Sequence, residues 1–303
     1  MASRKTPSKT KKTVTKKQHT PDYYPVQRSM PIGVNGGTIT GTMQSDAGRL
    51  LSQVNRRLYR YGNLYQIKLD LDIPGTLLAT AVDIEVYTLR NTWDVQRAFA
   101  LAKKTYDEAY ADERNVTSQR SRWEDFRVAT GAIGANLLQP MQYDNATLAS
   151  SIETAGEFVN SQVDKAGTDT FFTWGVAAAN SLDIIDEWAR SDRVTSEPAQ
   201  ITTTAPYDGV NSDDLSDLEM ENLGNNGNNP PYAQTSPSDC LVKVATLRYE
   251  PGPDGLQRLS TGYLDAPCGV FVLKTSGNIP NGYVHLSAKS GEYKGVAAHS
   301  MCN

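Results

Sequence analysis

The residues best equipped for chemistry in this sequence are cations at its start. Arg4, Lys5, Lys9, Lys11, Lys12, Lys16 and Lys17 fall within residues 1–20, with no acid among them. At this density Lys and Arg neutralise phosphates and release condensed counterions, an affinity that needs no base contacts and falls steeply with salt. Fully extended, such a stretch reaches roughly 70 Å. Aromatic residues for base stacking are absent from it, Tyr23 and Tyr24 lying just beyond, so the expected binding is blind to base sequence. KKTVTKK (11–17) also has the composition of a nuclear import signal, and a solubilising tail without a nucleic-acid partner shares that composition.

A second basic set follows closely. In SDAGRLLSQVNRRLYRYG (45–62), Leu50, Leu51, Val54 and Leu58 repeat at helical spacing, with Ser45 or Asp46 as a cap and Gly62 as a stop. The opposite face of that helix would carry Arg49, Gln53, Arg56 and Arg60, with Arg57 alongside, as one basic edge. It suits genome contact, and an ordinary exposed helix face or inter-subunit salt bridges would give the same pattern.

Candidates for catalysis or metal binding are weak. Asp70 and Asp72 share one face of a strand, as acid/base or metal carboxylates would, but a solvated strand face gives the same pattern. No P-loop or GxSxG motif occurs, and of three histidines His19 lies among the early cations while His285 alternates in a strand. Cys240, Cys268 and Cys302 are too widely spaced for a zinc site or a disulfide framework. The acids Asp208, Asp213, Asp214, Asp217, Glu219 and Glu221 could hold Ca²⁺ but lack the D-x-D-x-D-G order, so a solvated loop is expected. These residues point to no enzyme, no cofactor and no resident metal.

The net charge of −4 averages two unlike parts: residues 1–20 carry +7, and the remaining 283 carry 23 basic against 34 acidic groups, a net of −11. No run approaches the ~18 apolar residues of a membrane helix, and the start of the chain lacks the apolar core of a secretory signal. A soluble protein of a reducing compartment is expected.

The elements that must hold these residues are mainly strands. Residues 1–20 read as a disordered basic arm, and 21–44 as an extended lead-in that docks on a body without forming an element of its own. Strands are expected at Tyr65–Asp72 and Val82–Leu89 from strict alternation. A long helix is expected from Thr92 to Arg114 and a shorter one around Gln119–Ala129, a helical excursion over about 92–129. Short strands are expected near 170–177 and 200–204, and 148–159 and 182–189 are ambiguous. An acidic loop region spans about 194–239, and strands Cys240–Tyr249, Cys268–Lys274 and Tyr283–Lys289 close the chain. The expected architecture is mainly β: a jelly-roll β-sandwich over residues 45–303 with a long helical insertion and a disordered basic N-terminal arm.

Three strings resemble a known family. MQSDAGRLLSQVNRRLYRYGNLYQIKLDLD (43–72), VYTLRNTWDVQRAFALAKKTYDEAY (86–110) and the closing CGVFVLK (268–274) with SAKSGEYKGVAAHSM (287–301) look like capsid proteins of small eukaryotic circular Rep-encoding single-stranded DNA viruses. The resemblance implies a jelly-roll coat protein that self-assembles into an icosahedral shell with its arm on the viral genome. The location it implies is the virion; the composition of KKTVTKK makes the host nucleus a candidate location during assembly. One departure stands out: the arms of related circovirus coats are arginine-dense, and this one is short and lysine-rich. The rival readings are the coat of a small positive-strand RNA virus, a cellular nucleic-acid-binding or lectin-like β-sandwich, and a hydrolase built on Asp70 and Asp72.

Overall fold

In the computed structural model of the chain, the described residues are 26–34, 38–74, 80–111, 123–130, 136–144, 147–151, 158, 160–165, 167–175, 180–191, 240–252, 256–279 and 284–301. The basic arm (1–20), the strand expected at 200–204 and the acidic region at 194–239 lie outside them. Strict alternation produces the two expected strands. Tyr65, Ile67, Leu69, Leu71 and Ile73 of β3 (Asn63–Pro74) are at most 1% exposed, while Lys68, Asp70 and Asp72 face outward. Val82, Ile84 and Val86 of β4 (Val82–Leu89) are likewise buried, opposite Asp83, Glu85 and Tyr87.

The protein is mainly β, with most pairings antiparallel. β1 (Ser29–Gly33), β2 (Thr42–Asp46), β3 and β4 come early in the chain. β5 (Asn136–Leu137), β6 (Gln139–Asp144), β7 (Thr147–Ser151), β8 (Gln162–Lys165), β9 (Thr168–Thr173) and β10 (Ser181–Asp183) follow. β11 (Leu241–Tyr249), β12 (Leu256–Pro267), β13 (Val270–Thr275), β14 (Val284–Ala288) and β15 (Ala298–Ser300) close the chain. One sheet runs β12-β3-β14-β1-β6-β7, with β15 also on β3; a second runs β11-β4-β13-β2-β5; a third runs β10-β9-β8. The inner faces of the first two line one core, in which Met30, Ile32, Met43, Leu69, Val86, Tyr249, Phe271 and Leu286 meet.

Helices fill the gaps between strands. α1 (Ala47–Asn55) follows β2 directly, α2 (Trp93–Ala109) follows β4, and α3 (Ile184–Ser191) follows β10. Val95, Phe99 and Ala102 of α2 face a second apolar cluster with Phe126, Val128, Phe172, Trp174 and the α3 residues Ile184, Ile185 and Trp188. Phe99 lies parallel to Trp174 at 6.3 Å and tilted against Phe126 at 5.4 Å. Gly62 belongs to this packing and ends no helix: a Cβ there would sit 2.6 Å from Cε1 of Phe99.

Four sequence expectations are corrected. Residues 29–33 and 42–46 are sheet members, not a docked lead-in. Pro and Gly hide their alternation, yet Met30 and Ile32 of β1 and Met43 of β2 are in the core. Residues 123–129 form no helix; they run extended beside β9, where Ala129 bridges Thr173 and Trp174 N–H donates to the Ala129 carbonyl at 2.7 Å. Among the described residues of the excursion, α2 is the helix, and 112–122 lie outside them. The 12-residue β12 goes unread in the sequence because a register shift between Ser260 and Tyr263 breaks its period of two. Thr261 Oγ1 fills the interrupted ladder by accepting Leu69 N–H at 3.0 Å. Finally, α1 ends at Asn55, one residue before Arg56 turns left-handed at φ 51°.

Candidate nucleic-acid interface

Arg4, Lys5, Lys9, Lys11, Lys12, Lys16 and Lys17 lie outside the described residues, but the place where the chain enters the body is defined. Gln27 N–H donates to Asn55 Oδ1 at 2.8 Å, and Asn55 Nδ2 returns a bond to the Gln27 carbonyl at 2.9 Å. Val26 packs over Gly295, whose φ of +88° and lack of a Cβ permit the approach. Arg28 Nη1 reaches the Gly295 carbonyl at 3.5 Å. The chain therefore emerges between the end of α1 and the turn around Tyr293–Val296.

The expected basic edge of α1 does not form. Asp46 is the cap: its Oδ1 accepts Arg49 N–H at 2.6 Å, satisfying one orphan donor of the first turn. Arg49 and Gln53 face inward, 6% and 8% exposed, so Arg49 presents nothing to a solvated phosphate. Among the described residues, Arg49 Nε and Nη2 have no hydrogen-bond partner. Burial lowers its pKa from the ordinary arginine value, the Asp46 charge opposing and Arg127 adding to the effect. Helix periodicity assigned Arg49 to the polar side, but the helix lies between sheet and loop and both sides are covered.

Asp46 also holds Arg127, a residue that periodicity alone did not single out. Its Oδ2 pairs with Arg127 Nη2, and the guanidinium lies 5.2 Å from the Tyr61 ring centroid and 4.9 Å from that of Phe158. Burial works against the Arg127 charge, but Asp46, by charge and hydrogen bond, together with Asp125 raises its pKa. Comparisons with family models, curated proteins and solved structures give no match. Function must be read from the site itself.

The other three arginines lie beyond α1. Arg56 and Arg57 are exposed on the turn after it. Arg60 is pinned: Nη1 reaches Asp125 Oδ1 at 3.2 Å and the Glu124 carbonyl at 3.1 Å. Burial raises the Asp125 pKa, with Tyr61 N–H, Arg127 and Arg60 opposing. Two basic residues that sequence reasoning missed, Arg28 and Lys294, are exposed in the same region. Lys294 Nζ lies 5.2 Å from the Tyr293 ring centroid and 5.9 Å from that of Tyr59. Its position between two glycines, in SGEYKG, was the available sign of a presented turn.

The catalytic candidates stand on the outward face of the first sheet. Asp70 pairs with Lys68 at 2.7 Å and Asp72 with Arg258 at 3.8 Å, each carboxylate matched to a neighbouring cation. His285 stands opposite Asp70 in the β3–β14 register. Among the described residues no three His, Cys, Asp or Glu side chains gather as a metal site. Cys240 and Cys268 are buried thiols in the second cluster, with Cys268 Sγ 3.7 Å from Met301 Sδ; Cys302 lies outside the described residues. No described helix is long and apolar enough to cross a membrane.

Proposed function

We propose that this chain is a coat protein that self-assembles into an icosahedral shell around single-stranded DNA, held through residues 4–17. The observation that carries the reading is the order of eight strands. Taken along the chain, β1, β2, β3, β4, β11, β12, β13 and β14 pair first with eighth, second with seventh, third with sixth and fourth with fifth, all antiparallel. These are the rungs of one long folded ribbon. Curling it brings eighth against third and seventh against fourth, the pairings β14–β3 and β13–β4. That is how a jelly roll is wound. The long connection from β4 to β11 is then the helical insertion, carrying α2, α3 and the short strands between them.

Jelly rolls serve lectins and cupins as well as virus coats, so topology alone does not name the function. The charge split favours a container. A body of −11 with a detached +7 segment can hold polyanions on one side while its other surfaces do not bind them. Many copies in a shell would add their weak arms into strong binding.

The test compares the full chain with one lacking residues 1–20, by electron microscopy and by the ratio of absorbance at 260 and 280 nm. Closed particles are expected from the full chain, with much less co-purified nucleic acid from the truncated one. Small oligomers under every salt and pH condition would overturn the coat reading. Unchanged nucleic-acid content after truncation would remove the role of the basic segment. Digestion of the contents by DNase and not RNase is expected; the reverse would identify an RNA coat.

A further inference from the structure

Many basic side chains of the folded body are neutralised by acids. Lys68 pairs with Asp70, Arg90 with Asp94, Lys104 with Glu108, Lys243 with Glu85, Arg248 with Glu250, Arg258 with Asp72, and Arg60 with Asp125. Arg28, Arg57 and Lys294 differ from these: all three are exposed, and among the described residues no carboxylate lies within ion-pair distance of any of them, as is also true of Arg97, Lys165, Lys274 and Lys289. They also converge. Arg57 and Arg28 both act electrostatically on the Tyr59 hydroxyl, and Lys294 Nζ lies over the Tyr59 and Tyr293 rings, which meet edge to face at 6.2 Å.

Backbone conformation singles out the same place. Arg56 and Lys294, at φ 51° and 49°, are two of the three described non-glycine residues at positive φ. This conformation costs an ordinary L-residue roughly 1–2 kcal/mol. A glycine or asparagine would relieve it, yet long cations stand at both positions. The chain emerges here too, since Gln27 is bonded to Asn55 and Val26 packs on Gly295.

We infer that Arg28, Arg57 and Lys294, with Arg56 beside them, form a phosphate-binding surface on the folded body that continues residues 4–17 and takes the backbone of single-stranded nucleic acid. The identity of the polyanion rests on the coat-protein reading; the convergence of Arg28, Arg57 and Lys294 does not. Arg57 and Arg28 offer planar forks that fit phosphate oxygens, and Lys294 a compact charge held against two aromatic rings.

The test uses the full chain as dispersed subunits with oligo-dT of about 30 nucleotides, following affinity by fluorescence anisotropy against NaCl concentration. Each phosphate neutralised on a single strand contributes about 0.7 to the slope of log affinity against log salt. The variant R28Q/R57Q/K294Q should therefore lose about 2 from that slope. The control K243Q/R248Q/R258Q removes equal charge from outward sheet faces and should change it by less than about 0.5. Oligo-U in parallel should show the same loss, since the backbone is what is bound.

A wild-type slope in the first variant, an equal loss in both variants, or a loss confined to one sugar type overturns the inference. An unchanged slope with lost particle assembly also overturns it, since the three cations then pair with acids of a second copy. Particles that form with an unchanged slope remove this surface alone; a lost slope in a protein that never assembles removes the coat reading alone.

Discussion

Replacing Asp46 tests the electrostatic centre of the fold. Its two oxygens do different work: Oδ1 caps α1 through Arg49 N–H, and Oδ2 pairs with Arg127. Arg49, Asp46 and Arg127 are 6%, 9% and 4% exposed, so this carboxylate balances charge that water barely reaches. Removing one partner of a buried pair costs about 3–5 kcal/mol, because the other charge stays buried. Loss of an aspartate cap adds about 1 kcal/mol. Asparagine caps as well as aspartate does but carries no charge, which separates the two terms. Asp46→Asn should cost about 3–5 kcal/mol and Asp46→Ala about 4–6 kcal/mol. Urea unfolding of dispersed subunits at one fixed concentration, followed by circular dichroism, measures both, since assembly would shift apparent stability. In Arg127→Met the asparagine substitution should cost much less, a coupling of about 2 kcal/mol or more. An Asp46→Asn variant within about 1 kcal/mol of wild type at unchanged m-value would refute the reading of Asp46 as the compensating partner of the buried Arg127 charge.

Two further changes probe buried polar groups. Tyr61 hydroxyl donates to the Val128 carbonyl at 3.0 Å and accepts Trp174 Nε1–H at 2.9 Å; Tyr61→Phe strands both partners and should cost about 2–4 kcal/mol in urea unfolding, with altered tryptophan emission. Burial pushes the Asp183 carboxyl up to about 6, against the N–H groups of Ile185 and Asp186. The folded state then holds that proton more tightly than the unfolded chain, so stability falls as pH rises from about 4 to 6. Thermal unfolding of Asp183→Asn across pH should lack that fall and gain at most about 3 kcal/mol above about pH 7; parallel pH profiles for variant and wild type would sink this.

Legibility followed the clarity of each element's period. β3 and β4 have one wet and one dry face and no bulge, so alternation marks them, and β4 ends where it was expected. β12 carries a bulge at Thr261–Gly262, and β1 is five residues containing Pro31, so neither offers a period long enough to read. α1 shows the opposite failure. Its period is clear, but a period says which residues share a face and not whether the other face is covered, and Arg49 is buried for that reason. Of the candidate interface, Arg56 and Arg57 were legible as a cluster; Arg28 and Lys294 were not. They lie 266 positions apart and come together through the β1–β14 pairing, the Ala288 N–H to Arg28 carbonyl bond and the packing of Val26 on Gly295.

The distribution of paired and unpaired cations bears on how a container would be oriented. On the outward faces of both large sheets most cations are matched, Lys68 and Arg258 on one and Lys243 and Arg248 on the other, with Lys274 of β13 the exception. Such pairs add little stability, about 0–1 kcal/mol each. Their larger effect is to cancel local positive potential, leaving those faces unattractive to phosphates within a Debye length of about 8 Å, where unpaired charge would still be felt. Exposed cations with no ion pair among the described residues also include Arg97, Lys165, Lys274 and Lys289, but Arg28, Arg57 and Lys294 gather where the chain emerges from the body. The basic residues 4–17 precede this point in the chain, so in a shell the side carrying Arg28, Arg57 and Lys294 would face the contents. The arm would then serve mainly to extend that surface into the interior, which is why the salt slope, more than the affinity, separates its contribution from that of the body.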